Sequence, residues 1–258
     1  MVDVLMPSLL FLFVLLLVQD ALWPARRYAP VKGWRLKGAL YALLAIGLNI
    51  AIPMAVAPLM GERSLLPGAA LGTWGGFAVG LAVTELMVYW VHRACHEVSF
   101  LWRWVHQVHH SAERFDSYGA FFFHPNEILM SISLSLLGSG LLLGLTPEAA
   151  GLVGAAMFFM AYFQHANIRT PRLIGWLVQR PENHGVHHAR GVHTGNFGNL
   201  SIWDQVFGTF SNPAEAPAQA GFYEGGSRRM RDMLLGRDVS IGGLGRDRSA
   251  DQGFSAAA

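Results

Sequence analysis

The sequence has few charged residues and no concentration of basic residues. Only 14% of its 258 residues are charged, whereas 52% are hydrophobic, and the mean hydropathy is +0.33. This balance excludes an ordinary water-soluble domain and indicates an integral membrane protein. The net charge of +2 is small and the arginines are scattered, so the composition also excludes a nucleic-acid-binding protein.

Cysteine is almost absent from the chain. Cys95 is the single cysteine, so neither an internal disulfide nor a CxxC metal clip can form. Nitrogen and oxygen ligands must therefore carry any metal chemistry.

The hydrophobic residues are concentrated in five stretches, each close to the ~20 residues needed to cross a ~30 Å hydrocarbon core. We predict spans near residues 4–22, 36–60, 71–91, 128–145 and 149–165. The first stretch lacks the positive n-region of a secretory signal, so we interpret it as a retained membrane helix. The last two are short and are separated by Thr146-Pro147-Glu148, a pattern typical of a tight helical hairpin.

Basic residues between the first two spans predict the orientation. The positive-inside rule places this loop, with Arg26, Arg27, Lys32, Arg35 and Lys37, in the cytoplasm. The third span then ends at His92 on the cytoplasmic side. We predict an all-α integral membrane bundle of about four to five spans with a cytoplasmic, histidine-rich helical cap, residues 92–127 and 166–220, that holds a dimetal site. These parts form one domain, 1–220, and the glycine- and arginine-rich residues 221–258 are predicted to be disordered.

The chain contains 11 histidines, most of them in three short groups. In the first group the spacing is i, i+4, and in HQVHH and HGVHH it is i, i+3, i+4, which places the imidazoles of each group on one helix face. Eight imidazoles exceed the ligands of one tetrahedral site, so at least two metals are implied, although iron, zinc, copper and nickel all suit imidazole. These residues are His92, His96, His106, His109, His110, His184, His187 and His188.

Three further histidines are candidate ligands. His165 ends the fifth apolar stretch and is predicted to bind metal. His124 precedes Pro125, so it is either a ligand or a helix-entry residue. His193 lies in the glycine-rich loop GVHTGNFGN, where a metal-binding role and a hydrogen-bonding role are equally compatible with the sequence.

Glu85 and Tyr89 share one helix face with His92 and His96. A carboxylate inside a membrane segment is costly and indicates function. We predict that Glu85 accepts the second ring N–H of a ligand histidine and offsets metal charge; the alternative is a snorkelling glutamate.

Together, HRACH, WVHQVHH, HGVHH and NFGNLSIWDQVFGT resemble the sterol desaturase and fatty acid hydroxylase superfamily of membrane di-iron enzymes. The resemblance runs from about Glu85 to Phe210. It implies a four-helix membrane base beneath a cytoplasmic cap, in which histidines bind two irons that activate dioxygen against a C–H bond of a lipid.

The resemblance also assigns individual positions. The histidine pair and the two triplets match the three histidine boxes, and His165 matches an extra histidine before the last box. Asp204 and Gly208 match the closing signature of the family, which is structural. Relatives often carry a second histidine four residues beyond the extra one, but Arg169 stands here. The complete ligand set is therefore open, with His124 or a water as candidates to complete it.

As cofactors the resemblance implies two iron ions, for which zinc can substitute in purified protein, and O2 as co-substrate. The expected substrate is a sterol-like molecule, a fatty acyl chain or a related lipid that enters from the bilayer and leaves as an alcohol or an alkene. A fused cytochrome b5 domain is not recognisable, so we expect a separate electron donor of the cytochrome b5 or ferredoxin type. The candidate entrance aromatics, which could equally form an interfacial belt, are Trp102, Trp104, Phe121, Phe122 and Phe123.

Two other functions compete with the oxidase. A zinc-dependent membrane lipid hydrolase would need an open water site but no electron donor. A metal or proton transporter with a histidine relay would place its site near the bilayer midplane at broken helices, whereas these histidines lie at helix ends. Substrate, regiochemistry, electron donor and oligomeric state are open at this level.

Overall fold

The computed structural model describes residues 2–60 and 63–243, and every regular element within them is helical apart from two isolated β-bridges. The prediction of an all-α chain is confirmed for these residues. In chain order the elements are α1 (Val2–Leu22), α2 (Trp34–Met60), a 3-10 turn (Gly68–Leu71), α3 (Gly72–Glu97), α4 (Ser99–Leu101), a π-helical segment (Trp102–His106), α5 (Gln107–His110), α6 (Pro125–Ser135), a second π-helical segment (Leu136–Leu142), α7 (Pro147–Phe163), a 3-10 helix (Arg172–Trp176), α8 (Pro181–His187), α9 (Ser201–Val206), a 3-10 turn (Gly226–Arg228), α10 (Met230–Leu234) and a 3-10 turn (Ser240–Gly243).

Local sequence explains where the two hairpin helices begin. Thr146 is the N-cap of α7, and its hydroxyl accepts a hydrogen bond from the backbone N–H of Ala149. His124 caps α6 through its ring nitrogen Nδ1. Proline follows each cap at the first helical position, where its missing N–H costs nothing.

Two of the helices are long and apolar enough to cross a bilayer, Trp34–Leu59 and Gly68–Glu97, and the apolar segments Pro7–Leu22 and Pro147–Phe163 are shorter. Leucine and methionine side chains along α2 are widely exposed. A water-soluble surface rarely exposes a continuous apolar stripe of this kind. These features are consistent with a membrane protein, while the number of spans stays a prediction.

Helix α3 packs along α7 through small residues. A Cβ atom added at Gly80 would lie 2.5 Å from Cδ1 of Leu145 and 2.9 Å from Cγ2 of Val153, and one at Gly76 would lie 3.0 Å from Cβ of Ala149. Glycine therefore permits the close approach of α3, which carries His92 and His96, to α7, which ends just before His165.

Residues 98–124 and 164–243 pack together as a cap at one end of the long helices. Its core contains Trp34 from the start of α2 together with Val108, Phe122, Met233 and Val239. All 11 histidines lie in this cap or in the last turns of α3. Helix α3 continues to Glu97, beyond the predicted end of the span at residue 91, so His92 and His96 enter the cap on the same helix.

The prediction of disorder from residue 221 onward is wrong for residues 221–243. Met233 and Val239 are completely buried, and the amide of Gln107 donates to the carbonyl of Arg237 and accepts from the N–H of Val239. Composition failed here because a few apolar side chains among many glycines and arginines suffice to anchor the segment on α5. The rest of the predicted tail, 244–258, lies outside the described residues.

Asp20, near the end of α1, ties the first helix to the cap. Its carboxylate accepts hydrogen bonds from the backbone N–H of Ser117 at 2.6 Å and of Asn167 at 3.0 Å. These loops follow α5 and α7, so one buried side chain fixes α1 beside both histidine-bearing segments.

Candidate metal centre

Nine histidines form two groups in which the ligand nitrogens of each group lie within 4.8 Å of one another. Cluster A contains His92, His96, His106, His110 and His187, and cluster B contains His109, His165, His184 and His188. The structure thus brings the three histidine groups and His165 together, and their role as metal ligands stays a prediction.

Each HxxHH triplet is divided between the two clusters. His106 and His110 face cluster A while His109 faces cluster B, and in the third box His187 faces cluster A while its two neighbours face cluster B. We expected each triplet to present its ligands to one point. The structure differs because residues i and i+4 are close in azimuth, whereas residue i+3 lies on the other side of residue i.

A π-helical segment, Trp102–His106, ends at the first histidine of the second triplet. The backbone N–H of Gln107 bonds to the carbonyl of Trp102, five residues earlier. Such widened turns are rare and occur frequently at functional sites. Here the extra residue sets the rotation at which the second triplet meets α3 and α8.

Carbonyl and carboxylate oxygens hold the rings through Nδ1. The acceptors are the carbonyls of Phe197 for His92 (2.6 Å), Ala161 for His165 (2.7 Å) and Gly195 for His187 (2.6 Å), and the carboxylate of Glu127 for His106 (2.7 Å). Since Nδ1–H donates in each case, the lone pair remains on Nε2, the atom that is then free to bind a metal.

The Nε2 atoms converge on one another. In cluster A, Nε2 of His106 lies 2.9 Å from that of His92 and 3.0 Å from that of His110. In cluster B, Nε2 of His165 lies 3.1 Å from that of His109 and 3.3 Å from that of His188. Imidazoles about 2.0–2.1 Å from a shared metal place neighbouring nitrogens at about this separation.

The donor set fits metal ions in a further respect. Nε2 of His96 and Nε2 of His187 are buried without a hydrogen-bond partner among the described residues. Burial, followed by the neighbouring imidazoles, lowers the pKa values of the cap histidines well below 6.5, so their rings are neutral and able to coordinate. These histidines are His106, His109, His110, His184, His187 and His188.

The loop that supplies the Gly195 and Phe197 carbonyls is itself held by two buried carboxylates. Asp204 accepts hydrogen bonds from the N–H groups of Phe197 and Gly198, both at 2.8 Å, and from the hydroxyl of Thr209 at 2.6 Å. This is the structural role expected for the tryptophan-aspartate signature. Gly208, which follows, has φ +73°, a left-handed conformation that favours glycine.

We predicted that the second carboxylate, Glu85, accepts a ring N–H of a histidine. In the described residues its hydrogen bonds go to the loop instead. Glu85 accepts from the backbone N–H and the side-chain amide of Asn199, at 3.0 and 2.9 Å, and from the N–H of Leu200. The hydroxyl of Tyr89 lies 3.1 Å from Oγ1 of Thr209. Both residues therefore position the loop, and the backbone carbonyls of the loop reach the histidines.

Glu127 is the functional residue that sequence reasoning missed. It is buried, and its Oε1 accepts the ring N–H of His106, the role that we had given to Glu85. Glu127 stands three residues after the helix-capping His124 in HPNE. An acidic residue at this position commonly accepts a hydrogen bond from the backbone N–H of the capping residue. The available signal was a carboxylate directly before the apolar stretch 128–145 and within a histidine-rich region.

We expect Glu127→Gln to lower the metal affinity of cluster A about 10- to 100-fold, because a neutral amide supports the ligand ring less strongly than a carboxylate does. Chelator titration of the purified protein measures this change. Glu97→Gln, on the exposed side of α3, is the matched control. Equal affinities for the Glu127→Gln variant and this control would contradict the role.

The remaining predicted residues lie outside both clusters. His124 caps α6, and Nδ1 of His193 lies 3.0 Å from Nδ1 of His110. Arg169 lines a separate cavity at the outer face of the cap. Whether any of them takes part in metal binding stays a prediction.

An inner cavity of about 170 Å³ leads from the clusters between the long helices. Of the predicted entrance aromatics, Phe121 and Phe123 line it. Phe122 packs in the cap core against Trp34, and Trp102 packs against the rings of His96 and His110. The histidines that line the inner cavity are His92, His106, His109, His165 and His184.

Comparison with known proteins agrees with this geometry. Residues 77–209 match the model of the fatty acid hydroxylase family. The ornithine lipid hydroxylase OlsE of Rhizobium tropici is 33% identical over 186 residues, which cover 69% of this chain and 55% of that protein. Human alkylglycerol monooxygenase is 28% identical over 149 residues (56% and 32%), and the fatty acid hydroxylase vlmA of a Lecanicillium species is 31% identical over 172 residues (57% and 46%).

The chain thus spans about half the length of OlsE and about a third of alkylglycerol monooxygenase. No solved structure gives a significant match. The family model covers all nine histidines of the two clusters, the loop that orients them and both buried carboxylates that hold this loop. On this evidence the chain belongs to the fatty acid hydroxylase family.

Proposed function

We propose that this protein is an O2-dependent, di-iron membrane oxidoreductase that hydroxylates a C–H bond of a lipid. The observation that carries the proposal is the pair of buried imidazole clusters at the inner end of a largely apolar cavity. The relatives named as hydroxylases and monooxygenases support oxygen insertion over desaturation.

The ligand set favours iron over zinc. Structural and catalytic zinc sites are usually four-coordinate, and catalytic zinc takes three protein ligands. Cluster A offers five imidazoles, which suits a metal with a higher coordination number. Once bound, the two irons would supply the redox chemistry by which dioxygen is activated.

The residues of the chain provide the setting for that chemistry. The neutral imidazoles hold the metals, and Glu127 adds negative charge beside His106. The apolar wall, which includes Val88, Met157 and Phe158, excludes water and admits a lipid chain. Because no redox-active group other than the metals is implied, the electrons are proposed to come from a separate cytochrome b5-like or ferredoxin-type protein.

We place the cap and the metal centre on the cytoplasmic face of a multi-pass membrane protein. The loop between α1 and α2 carries three basic residues, and Arg35 and Lys37 at the start of α2 add two more. This loop joins the cap through hydrogen bonds between Arg26 and Asn167. The positive-inside rule supports the cytoplasm as the location of this loop. A soluble electron donor could then reach the cap directly.

Metal analysis and oxygen labelling test the proposal together. Protein expressed with iron supplementation and purified without added metal is expected to contain about two irons per chain, as its two clusters imply. Membranes supplied with reductant and oxygen-18 dioxygen are expected to yield lipids that carry one labelled oxygen, detected by mass spectrometry. Zinc that persists under iron supplementation, with lipid hydrolysis and no label, would favour a hydrolase, and the absence of bound metal would favour transport.

A further inference from the structure

The side-chain oxygen of Gln164, a residue in the wall of the inner cavity, has no hydrogen-bond partner within the described residues. Gln164 is only 5% exposed, and its side-chain oxygen Oε1 is buried without a hydrogen-bond partner within the described residues. Native proteins pair nearly all buried polar groups, so an unpaired buried amide oxygen requires an explanation. A molecule that enters the cavity can supply the missing partner.

The position of Gln164 places this amide beside the metal centre. Gln164 directly precedes His165 of cluster B and follows the last turn of α7. Glu127 lines the same cavity, and its second carboxylate oxygen, Oε2, is also buried without a partner among the described residues. Unpaired polar atoms therefore occur at the end of the cavity that contacts the histidines.

The rest of the wall is mainly apolar. Ile128, Leu134, Met157 and Phe158 line this part, together with Ser131 and Ser135. Asn49 also lines it, but its amide donates to the carbonyl of Ala45 in its own helix. A lipid chain fits these surroundings, and its polar portion would be satisfied near Gln164.

The size of the cavity limits how much of a ligand it holds. Its volume of about 170 Å³ is below the roughly 300–1,000 Å³ of typical ligand pockets. It therefore holds only a segment of a lipid, and the rest of the molecule would remain between the helices and in the bilayer. The segment held is the one next to the histidines.

We infer that the amide of Gln164 binds a hydroxyl or amide group of the lipid substrate and so determines which carbon faces the metal centre. This inference rests on the proposed function and narrows the substrate class. The substrates are lipids with a hydrogen-bonding group close to the oxidised carbon, and a plain methylene run within an acyl chain does not qualify. Gln164 is thus a specificity-determining residue.

Binding of three probes of equal alkyl chain length tests the inference: a 1-O-alkylglycerol, an N-alkylacetamide and an alkyl propyl ether, which lacks both polar groups. Affinities are measured on the metal-loaded protein by native mass spectrometry. The wild-type protein is expected to bind the glycerol or the acetamide about tenfold more tightly than the ether, the effect of roughly one buried hydrogen bond. The probe that is preferred distinguishes a hydroxyl from an amide.

Gln164→Leu is expected to abolish this preference while leaving the affinity for the ether unchanged. Gln205→Leu removes an exposed amide that donates to Trp176 and serves as the matched control, with the preference retained. Metal content and thermal midpoint establish that both variants are folded.

Equal binding of all three probes by the wild type, or a preference that survives Gln164→Leu, would overturn the inference. Either result would indicate that the hydrogen-bond partner of the Gln164 amide is a water molecule. Oxidation of the same probes is measured separately. A preference that depends on Gln164, with no labelled oxygen in any lipid, would refute the proposed function and leave the binding site established.

Discussion

His165→Ala is expected to remove the metal of cluster B, so that bound iron falls from about two per chain to about one and lipid oxidation is lost. Cluster B has four imidazoles, and the substitution leaves three. Since replacing a residue that only supports a ligand already costs about 10- to 100-fold in metal affinity, loss of a ligand is expected to cost more than about 100-fold.

His96→Ala makes the same change in cluster A and is expected to have a smaller effect. Four imidazoles remain there after the substitution, which is enough to hold a metal, so the iron content should fall less than in the His165→Ala variant. Iron per chain by plasma mass spectrometry, measured after dialysis against a weak chelator, compares the two variants.

His124→Ala is the control for both substitutions, because His124 lies outside the clusters and caps α6. Loss of a cap is expected to cost about 1 kcal/mol of stability and to leave the iron content unchanged. Iron loss equal to that of the His165→Ala variant would show that His124 is a ligand after all.

The metal-free protein is expected to lose stability steeply below about pH 6.5. Burial lowers the pKa of six cap histidines well below 6.5 in the folded chain, whereas in the unfolded chain they titrate near 6.5. As the pH falls, the unfolded state therefore takes up protons that the folded state cannot, and stability present at neutral pH is lost. The six are His106, His109, His110, His184, His187 and His188.

The expected effect is large. Each histidine contributes roughly 1 kcal/mol per pH unit once the unfolded chain is protonated. Six together amount to several kcal/mol between pH 6.5 and 5.5, on the order of the whole stability of a domain. Bound metal occupies the same lone pairs, so the loaded protein should resist acid to a lower pH.

Thermal unfolding of chelator-treated and iron-loaded protein, followed between pH 5 and 8 in the same detergent, measures this difference. Parallel curves for the two forms would contradict it, since the metal and the protons would then not be competing for the same nitrogens. Unchanged stability of the metal-free form below pH 6 would show that the cap admits water and charges its histidines without unfolding.

Much of the fold follows from local sequence. Apolar stretches of suitable length predict α1, α2, α3 and the α6–α7 hairpin close to where the structure has them, because helix length and burial in a membrane depend on residues adjacent in the chain. Thr146 with Pro147 marks the start of α7 for the same reason. Helical spacing alone also identifies eight of the nine histidines that the structure brings into the two clusters.

That residues 221–243 fold cannot be derived from local sequence in this way. Residues 221–243 contain too few apolar side chains to predict folding, yet Phe222, Met233 and Val239 find a surface on the cap. That surface includes Trp34 from α2 and Val108 from α5, which are remote in sequence. Composition therefore underestimated the order of this segment.

The sequence alone determined which side chains form the candidate metal centre and predicted that it holds more than one metal, since ligand type and helical periodicity are local properties. Only the tertiary structure decided how each triplet is divided between the clusters, that Glu127 supports His106, and that Glu85 acts through the loop at Asn199. These relations depend on the rotation and separation of helices that meet only after folding, and a shift of about 100° per residue around a helix axis changes which partner a side chain meets.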